Sequence, residues 1–264
     1  MSGQGGLALG IFRNGSVAML LLVCSDLLSA KGVEPDGMAI LAMAREAAGG
    51  ETWASAETLV LSGHAVFYGE DGHQPYAKAD DYHMWRAFDE GRSSAHEAEG
   101  KVRISAISNG RPMFLVGFDG STTWTEKGVM PKAEADAYWA SNFGFSIIRQ
   151  ANKPGFAAQR IPDDQVAGHQ SWMVELTDPK GSKTLFGVDK KTKFIRMVGF
   201  ITPKGWHYRI YDDFVWIKNP GWLQARHVTL YYNGRKANEV FWKETKVNVK
   251  VDPALFTPPT TGPR

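Results

Sequence analysis

The feature that most constrains this chain is a long succession of short segments in which apolar residues recur at every second position, each ended by turn-forming residues. Leu59, Leu61, Ala65 and Phe67 fall on one face of the first segment, with Val60, Ser62, His64 and Val66 on the other. Further segments of this kind run over 82–88, 101–107, 112–118, 171–176, 184–188, 194–201, 206–216, 226–232 and 240–251. Ser108-Asn109-Gly110, Asp178-Pro179-Lys180-Gly181, Pro203-Lys204-Gly205 and Tyr232-Asn233-Gly234 separate them, and such sequences close antiparallel hairpins. Period-two segments in this order predict a single curved meander of antiparallel strands.

Only two stretches have helical spacing. Pro35-Asp36-Gly37 leads into Met38, Ile40, Leu41, Met43, Ala44 and Ala47, and Gly49-Gly50 then ends the run. Residues 131–150 predict a second helix, with Pro131 in its first turn and Tyr138, Trp139, Phe143 and Ile147 as an apolar stripe. The expected fold is therefore mainly β (α+β), one curved antiparallel sheet with helices across its concave face. Hydrophobic residues make up 43% of the chain and aromatics 12%, enough for a core, and no stretch has the composition of an interdomain linker. One domain is expected over 31–256, followed by a tail over 257–264.

Residues 1–16 are polar and Gly-rich with one charge, Arg13, and precede the apolar run 17–23. Leu28-Ser29-Ala30 offers a small residue at a cleavage edge, so residues 1–30 resemble a secretory signal and predict a periplasmic protein, although Asp26 interrupts the stretch. A lipoprotein signal through Leu21-Leu22-Val23-Cys24 is the alternative; Val23 stands where a small residue is usual. Cys24 is the single cysteine, which excludes an intramolecular disulfide framework and a cysteine-built zinc site. The formal net charge of +2 excludes a polycation that wraps nucleic acid.

Chemistry-bearing motifs are absent: there is no phosphate-binding Gly loop, no H-E-x-x-H and no G-x-S-x-G. The histidines show no i, i+4 pair, so neither a metal nor a cofactor is expected.

Several constellations suggest a cavity instead. Tyr82, Met84, Arg86 and Phe88 share one strand face, with His83 and Trp85 opposite; Arg86 is either an anion anchor inside a cavity or a snorkelling strand-end cation. Along 206–216, Trp206, Tyr208, Ile210, Asp212, Phe214 and Trp216 alternate with His207, Arg209, Tyr211, Asp213 and Val215. If the first set faces inward, Asp212 is a carboxylate among aromatics and a candidate general base; the alternative is an irregularity at Asp212-Asp213 that leaves both acids in solvent. His64 is a candidate proton-transfer residue or simply a hydrogen-bonded histidine. Tyr138, Trp139 and Phe143 are either a lid or plain core. Trp124, Trp172 and Trp206 join them as candidate lining for a flat or amphipathic guest. The lysines at 180, 183, 190 and 191 are turn charges with the option of transient contact with an anionic membrane surface.

Four C-terminal runs resemble the lipoprotein-sorting (LolA/LolB-like) superfamily: Val188-Asp189-Lys190-Lys191-Thr192, Tyr211-Asp212-Asp213-Phe214, Leu230-Tyr231-Tyr232-Asn233-Gly234, and Val247 through Asp252-Pro253-Ala254-Leu255-Phe256 to Pro259. Ala44 to Gly50, Leu59 to Gly63, and Asp119-Gly120 leading to Trp124 are similar to the corresponding parts of periplasmic members. The resemblance implies an open, strongly bent half-barrel closed by helices, whose cavity in the sorting proteins holds acyl chains. It implies a non-enzymatic periplasmic carrier or chaperone for a lipid, a lipoprotein's acyl chains or another apolar or amphipathic molecule. The alternative is a cofactor-independent lyase, isomerase or hydrolase acting on a small aromatic substrate, with Arg86 holding an anion and His64 or His83, Tyr208 and Asp212 moving protons. A third reading is an interaction module that pairs a partner strand with a sheet edge.

Overall fold

A computed structural model describes residues 34–89, 91–97, 100–142 and 146–258. The signal-like segment, Cys24, Phe143 and the end of the tail lie outside these residues.

The hairpins form as their turn residues dictate. Strands β1 (Thr58–Tyr68), β2 (Pro75–Ala87), β3 (Lys101–Ser108), β4 (Arg111–Phe118), β5 (Thr123–Thr125) and β6 (Gly128–Val129) make a first meander. A second contains β7 (Ala157–Val166), β8 (His169–Thr177), β9 (Lys183–Asp189), β10 (Ile195–Thr202), β11 (Gly205–Ile217), β12 (Trp222–Tyr232) and β13 (Arg235–Val247). At the β3–β4 and β12–β13 turns, Asn109 and Gly110, and Asn233 and Gly234, all take positive φ, the requirement of a two-residue hairpin loop.

The last strand pairs with the first, so both meanders form one 13-stranded antiparallel sheet in the order β6-β5-β4-β3-β2-β1-β13-β12-β11-β10-β9-β8-β7. Among the described residues the sheet is open, because its two edges, β6 and β7, do not pair with each other. These edges are consecutive in sequence, so the chain between them must travel from one side of the sheet to the other. That connection carries α3 (Lys132–Asn142) and a 3₁₀ turn at Ile147–Gln150. It also carries the correction to the predicted helix over 131–150, which is two short pieces rather than one. Arg149 anchors the second piece: its guanidinium donates to the carbonyls of Ala54 and Ala56, each at 3.0 Å, and lies 3.9 Å from the Phe88 ring centroid.

Helix α1 (Gly37–Ala48) begins where Asp36 accepts a 2.8 Å hydrogen bond from the Ala39 N–H. Gly49 ends it at φ 133°, and a Cβ there would meet the Gly221 carbonyl at 2.4 Å. Gly50 then starts a further turn, α2 (Gly50–Ala54), which brings Trp53 over the sheet. Ile40, Leu41 and Ala44 pack with Val174, Leu176, Phe186, Val188 and Val198. Burying each large aliphatic side chain contributes about 1.5–3 kcal/mol, so this contact fixes α1 on the face that also carries α3. A second core joins Leu59, Leu61, Ala65 and Ala79 to Val228, Val240 and Trp242 across the β1–β13 junction.

Candidate functional site

Between the helices and the sheet lie two adjoining compartments. The first, about 180 Å³, is lined by Ala44 and Ala48 of α1, Trp53, Leu59 and Leu61 of β1, and Ile195, Val198, Tyr211, Phe214 and Trp222 to Ala225 from the second meander. Its wall is apolar apart from the Tyr211 hydroxyl and the Gln224 amide. That amide is occupied, accepting from the Trp222 indole N–H at 3.0 Å and donating to the Ala225 carbonyl at 2.7 Å.

The second compartment, about 230 Å³, lies under α3 and is lined by Phe67, Tyr82, Met84, Arg86, Ile104, Phe114, Tyr138, Trp139, Arg209, Leu230, Tyr232 and Asn238. The two adjoin, since Leu61 of the first pairs across strands with Met84 of the second, and Tyr211 of the first lies two residues from Arg209 of the second. Their volumes together fall in the range of small-molecule sites, roughly 300–1,000 Å³. Two hydrogen bonds hold the cover: the Trp139 indole N–H donates to Thr123 Oγ1 at 2.7 Å, and the Tyr232 hydroxyl donates to the Ser141 carbonyl at 2.8 Å.

Electrostatics separate the compartments. Arg209 is partly open to the hollow by surface area yet lies deep in the protein; burial lowers its pKa, as does the nearby charge of Arg86, while Tyr211, Tyr232 and Tyr82 raise it. An arginine so placed stays cationic at neutral pH. Burial pushes the Tyr82 hydroxyl up to about 12 and raises those of Tyr138, Tyr211 and Tyr232, so all four phenols keep their protons.

The sequence-derived candidates divide by face. Tyr82, Met84, Arg86, Tyr138 and Trp139 meet in the second compartment and Phe214 in the first. Phe88 stands beside them, stacked under Arg86 at 4.8 Å and under Arg149. Trp124 and Trp206 are on the outer face. The Trp124 ring covers Gly117 and its N–H donates to the Phe256 carbonyl at 3.1 Å, whereas Trp206 lies over Gly199. Trp172 is in the core beneath α1, with the Lys193 ammonium 4.3 Å from its ring centroid.

The four candidate proton-transfer residues do not converge. His64 is on the outer face, stacked on Phe241 at 4.7 Å, because alternation along β1 places Leu61 and Ala65 inward. His83 lies outward as well, 2.5 Å from Asp81 and stacked on Trp85. Tyr208 stacks on Tyr231 at 4.7 Å, with Trp206 beside it on the same outer face. Asp212 is mostly exposed and takes a 3.0 Å bond from Arg196. Asp213 next to it has φ 50° and pairs with Arg226 at 2.7 Å, the local irregularity that was the alternative reading of these adjacent acids. Because of it, Tyr211 and Phe214 line the same compartment although three residues apart. Arg209 and Tyr211, which alternation grouped apart from Tyr208 and Phe214, also line the hollow, as do Trp53, Phe114, Trp222 and Tyr232, which the sequence did not single out as site residues. Among the described residues, no group of three His, Cys, Asp or Glu side chains could hold a metal ion.

The solved structure of a LolA superfamily protein from Nitrosomonas europaea superposes with a TM-score of 0.53 over 85% of this chain and 98% of that one, at 12% identity. The fold is LolA-like. A DUF1329 family protein from Desulfovibrio piger gives 0.50 over 83% of this chain and 96% of that one, at 10% identity. No protein-family model matches the sequence, and no curated protein matches it. The half-barrel that the sequence resemblance implied is thus the fold observed, at identities that speak to fold alone.

Proposed function

We propose that this protein is a carrier or chaperone that shelters the apolar part of a lipid or lipoprotein beneath α1 and α3. The observation that carries the reading is the first compartment, whose wall is made mostly of Ala, Leu, Ile, Val, Phe and Trp side chains and whose Gln224 amide is hydrogen-bonded within the protein. Such a wall supplies affinity by burial: each CH₂ removed from water contributes about 0.8 kcal/mol, so four contribute roughly 3 kcal/mol. The signal-like leader supports operation in the periplasm. The enzyme reading has less support, since His64, His83 and Tyr208 are on the outer face and Asp212 is tied to Arg196. The edge-pairing reading has less too: β6 is two residues long, and β7 carries Pro162 at a register shift.

The test is uptake of a fluorescent acyl probe by the purified protein. Saturable uptake near one probe per chain is expected, with weaker uptake in Trp139→Ala, whose indole forms part of the cover. Absence of uptake would contradict the reading.

A further inference from the structure

We propose that the first compartment is a ruler for one straight alkyl chain: it takes about the last six to eight carbons of that chain, and Ala44, Ala48 and Ala225 set the limit. The inference rests on the carrier reading above and adds how many chains the guest offers and how much of a chain is held.

Three observations carry it. First, the space exists because small residues stand where larger ones would close it. Ala44 and Ala48 lie one helical turn apart on the inner side of α1, and Ala225 of β12 lines the same hollow; the three are 1%, 6% and 7% exposed. The residues around them, Leu59, Leu61, Val198 and Phe214, are all larger.

Second, the volume is small and drawn out. An apolar cavity of roughly 150 Å³ holds one benzene molecule, so the 180 Å³ here holds about six to eight carbons. Its wall comes from β10, β11, β12 and β1, which with β13 are five adjacent strands, and neighbouring strands lie about 4.8 Å apart. So little space spread across that many strands has the width of one extended chain, not of two side by side.

Third, both ends and the walls are fixed. At the inner end Leu61 and Val198 are 3% and 2% exposed, and beside them the Tyr211 hydroxyl interacts with the Arg209 guanidinium. A chain pushed further would separate that polar pair, at the cost of a buried hydrogen bond. At the outer end Phe194, Phe214 and Leu223 are only half-buried, so carbons beyond them remain in water. Gly49 holds the end of α1 against the β11–β12 turn, where even a Cβ would meet the Gly221 carbonyl at 2.4 Å. Arg149 bonds the carbonyls of Ala54 and Ala56, and Trp53 of α2 meets Trp222 at 6.3 Å between ring centroids. Walls held in this way do not spread for a longer or second chain, so extra carbons add no buried surface.

The experiment is calorimetric titration of the full chain at pH 8 with straight-chain carboxylates from butanoate to tetradecanoate, each below its micelle-forming concentration. Affinity is expected to rise about fourfold with each added CH₂ and to level off at about eight carbons. Dioctanoylphosphatidylcholine should bind about as tightly as its one-chain counterpart, since only one of its chains is held. In Ala225→Leu the levelling should come about three carbons earlier, the number of carbons that the substitution adds to the wall. Should that variant fail to fold, the length series and the two-chain comparison on the unmodified protein still decide. A levelling point that stays in place in folded Ala225→Leu overturns the ruler. A gain that continues through tetradecanoate, or much tighter binding of the two-chain lipid, also overturns it and leaves the carrier reading standing. If no member of the series binds, the carrier reading fails and this proposal fails with it.

Discussion

At Asp213 a single residue in the left-handed backbone region decides which side chains of β11 line the hollow. Before it, His207, Arg209 and Tyr211 are inward; after it, Phe214 is. Strict alternation places Arg209 and Phe214 on opposite faces, which is why alternation alone did not bring Arg209 into the site. Aromatics populate both faces of this strand, so the pattern could group residues by face without saying which face is inward. His207 is fully buried, with Nδ1 2.8 Å from the Tyr231 carbonyl and its ring stacked on Tyr232 at 4.1 Å. Burial holds its pKa down to about 3 against an ordinary 6.5, with Arg209 acting in the same direction. Between those values the unfolded chain binds a proton that the folded chain does not. Stability is therefore full above pH 6.5 and falls as the pH drops toward 3, by at most about 1.4 kcal/mol per pH unit. Burial also lowers His64, which adds in the same sense. The urea midpoint should be lower at pH 5 than at pH 7, and the difference should shrink in His207→Gln; equal midpoints in the unmodified protein would count against the buried neutral imidazole. On the outer face, a Cβ on Gly117 would come within 2.1 Å of the Trp124 ring. Gly117→Ala should accordingly cost about 1–3 kcal/mol in denaturant unfolding, and an unchanged midpoint would mean that the ring moves freely.

Among the elements, the connection from β6 to β7 governs the site, because it places α3 over the second compartment. Tyr138 and Trp139 of α3 do face the hollow, as their helical spacing suggested. The helix was legible from that stripe, but its C-terminal limit was not: the observed α3 stops at Asn142 and a 3₁₀ turn follows at Ile147–Gln150. Strand β7 left almost no period-two signal, since an edge strand with Pro162, Asp163 and Asp164 packs little of its length. Its hairpin with β8 turns at Ala167-Gly168, both at positive φ, a pair that the sequence reading did not single out. Helix α1, by contrast, was legible almost to the residue, because Asp36 caps it and Gly49 ends it. Its inner face lines the apolar compartment with Ala44 and Ala48, both small. Ala48→Phe should fill that space and lower acyl-probe affinity roughly tenfold or more, with the folded circular dichroism spectrum retained. Unchanged affinity would place the chain elsewhere.

The described residues form one open sheet whose first and last strands meet at its centre, with β6 and β7 at its edges and a hollow between sheet and helices. The antiparallel meander was legible because its turn pairs recur between apolar runs. The hollow was not, because which side chains of β11 it gathers depends on the irregularity at Asp213, which no period displays. At this scale the carrier proposal rests on the two unlike compartments, one lined mostly by apolar side chains and one that holds two arginines. The measurement that tests this account most directly is native mass spectrometry of the protein expressed from the full sequence, residues 1–30 included, followed by solvent extraction of whatever stays bound. The account predicts an acyl-chain molecule at about one per chain, lost in Ala48→Phe. A small aromatic solute without an acyl chain, retained in that variant, would contradict it.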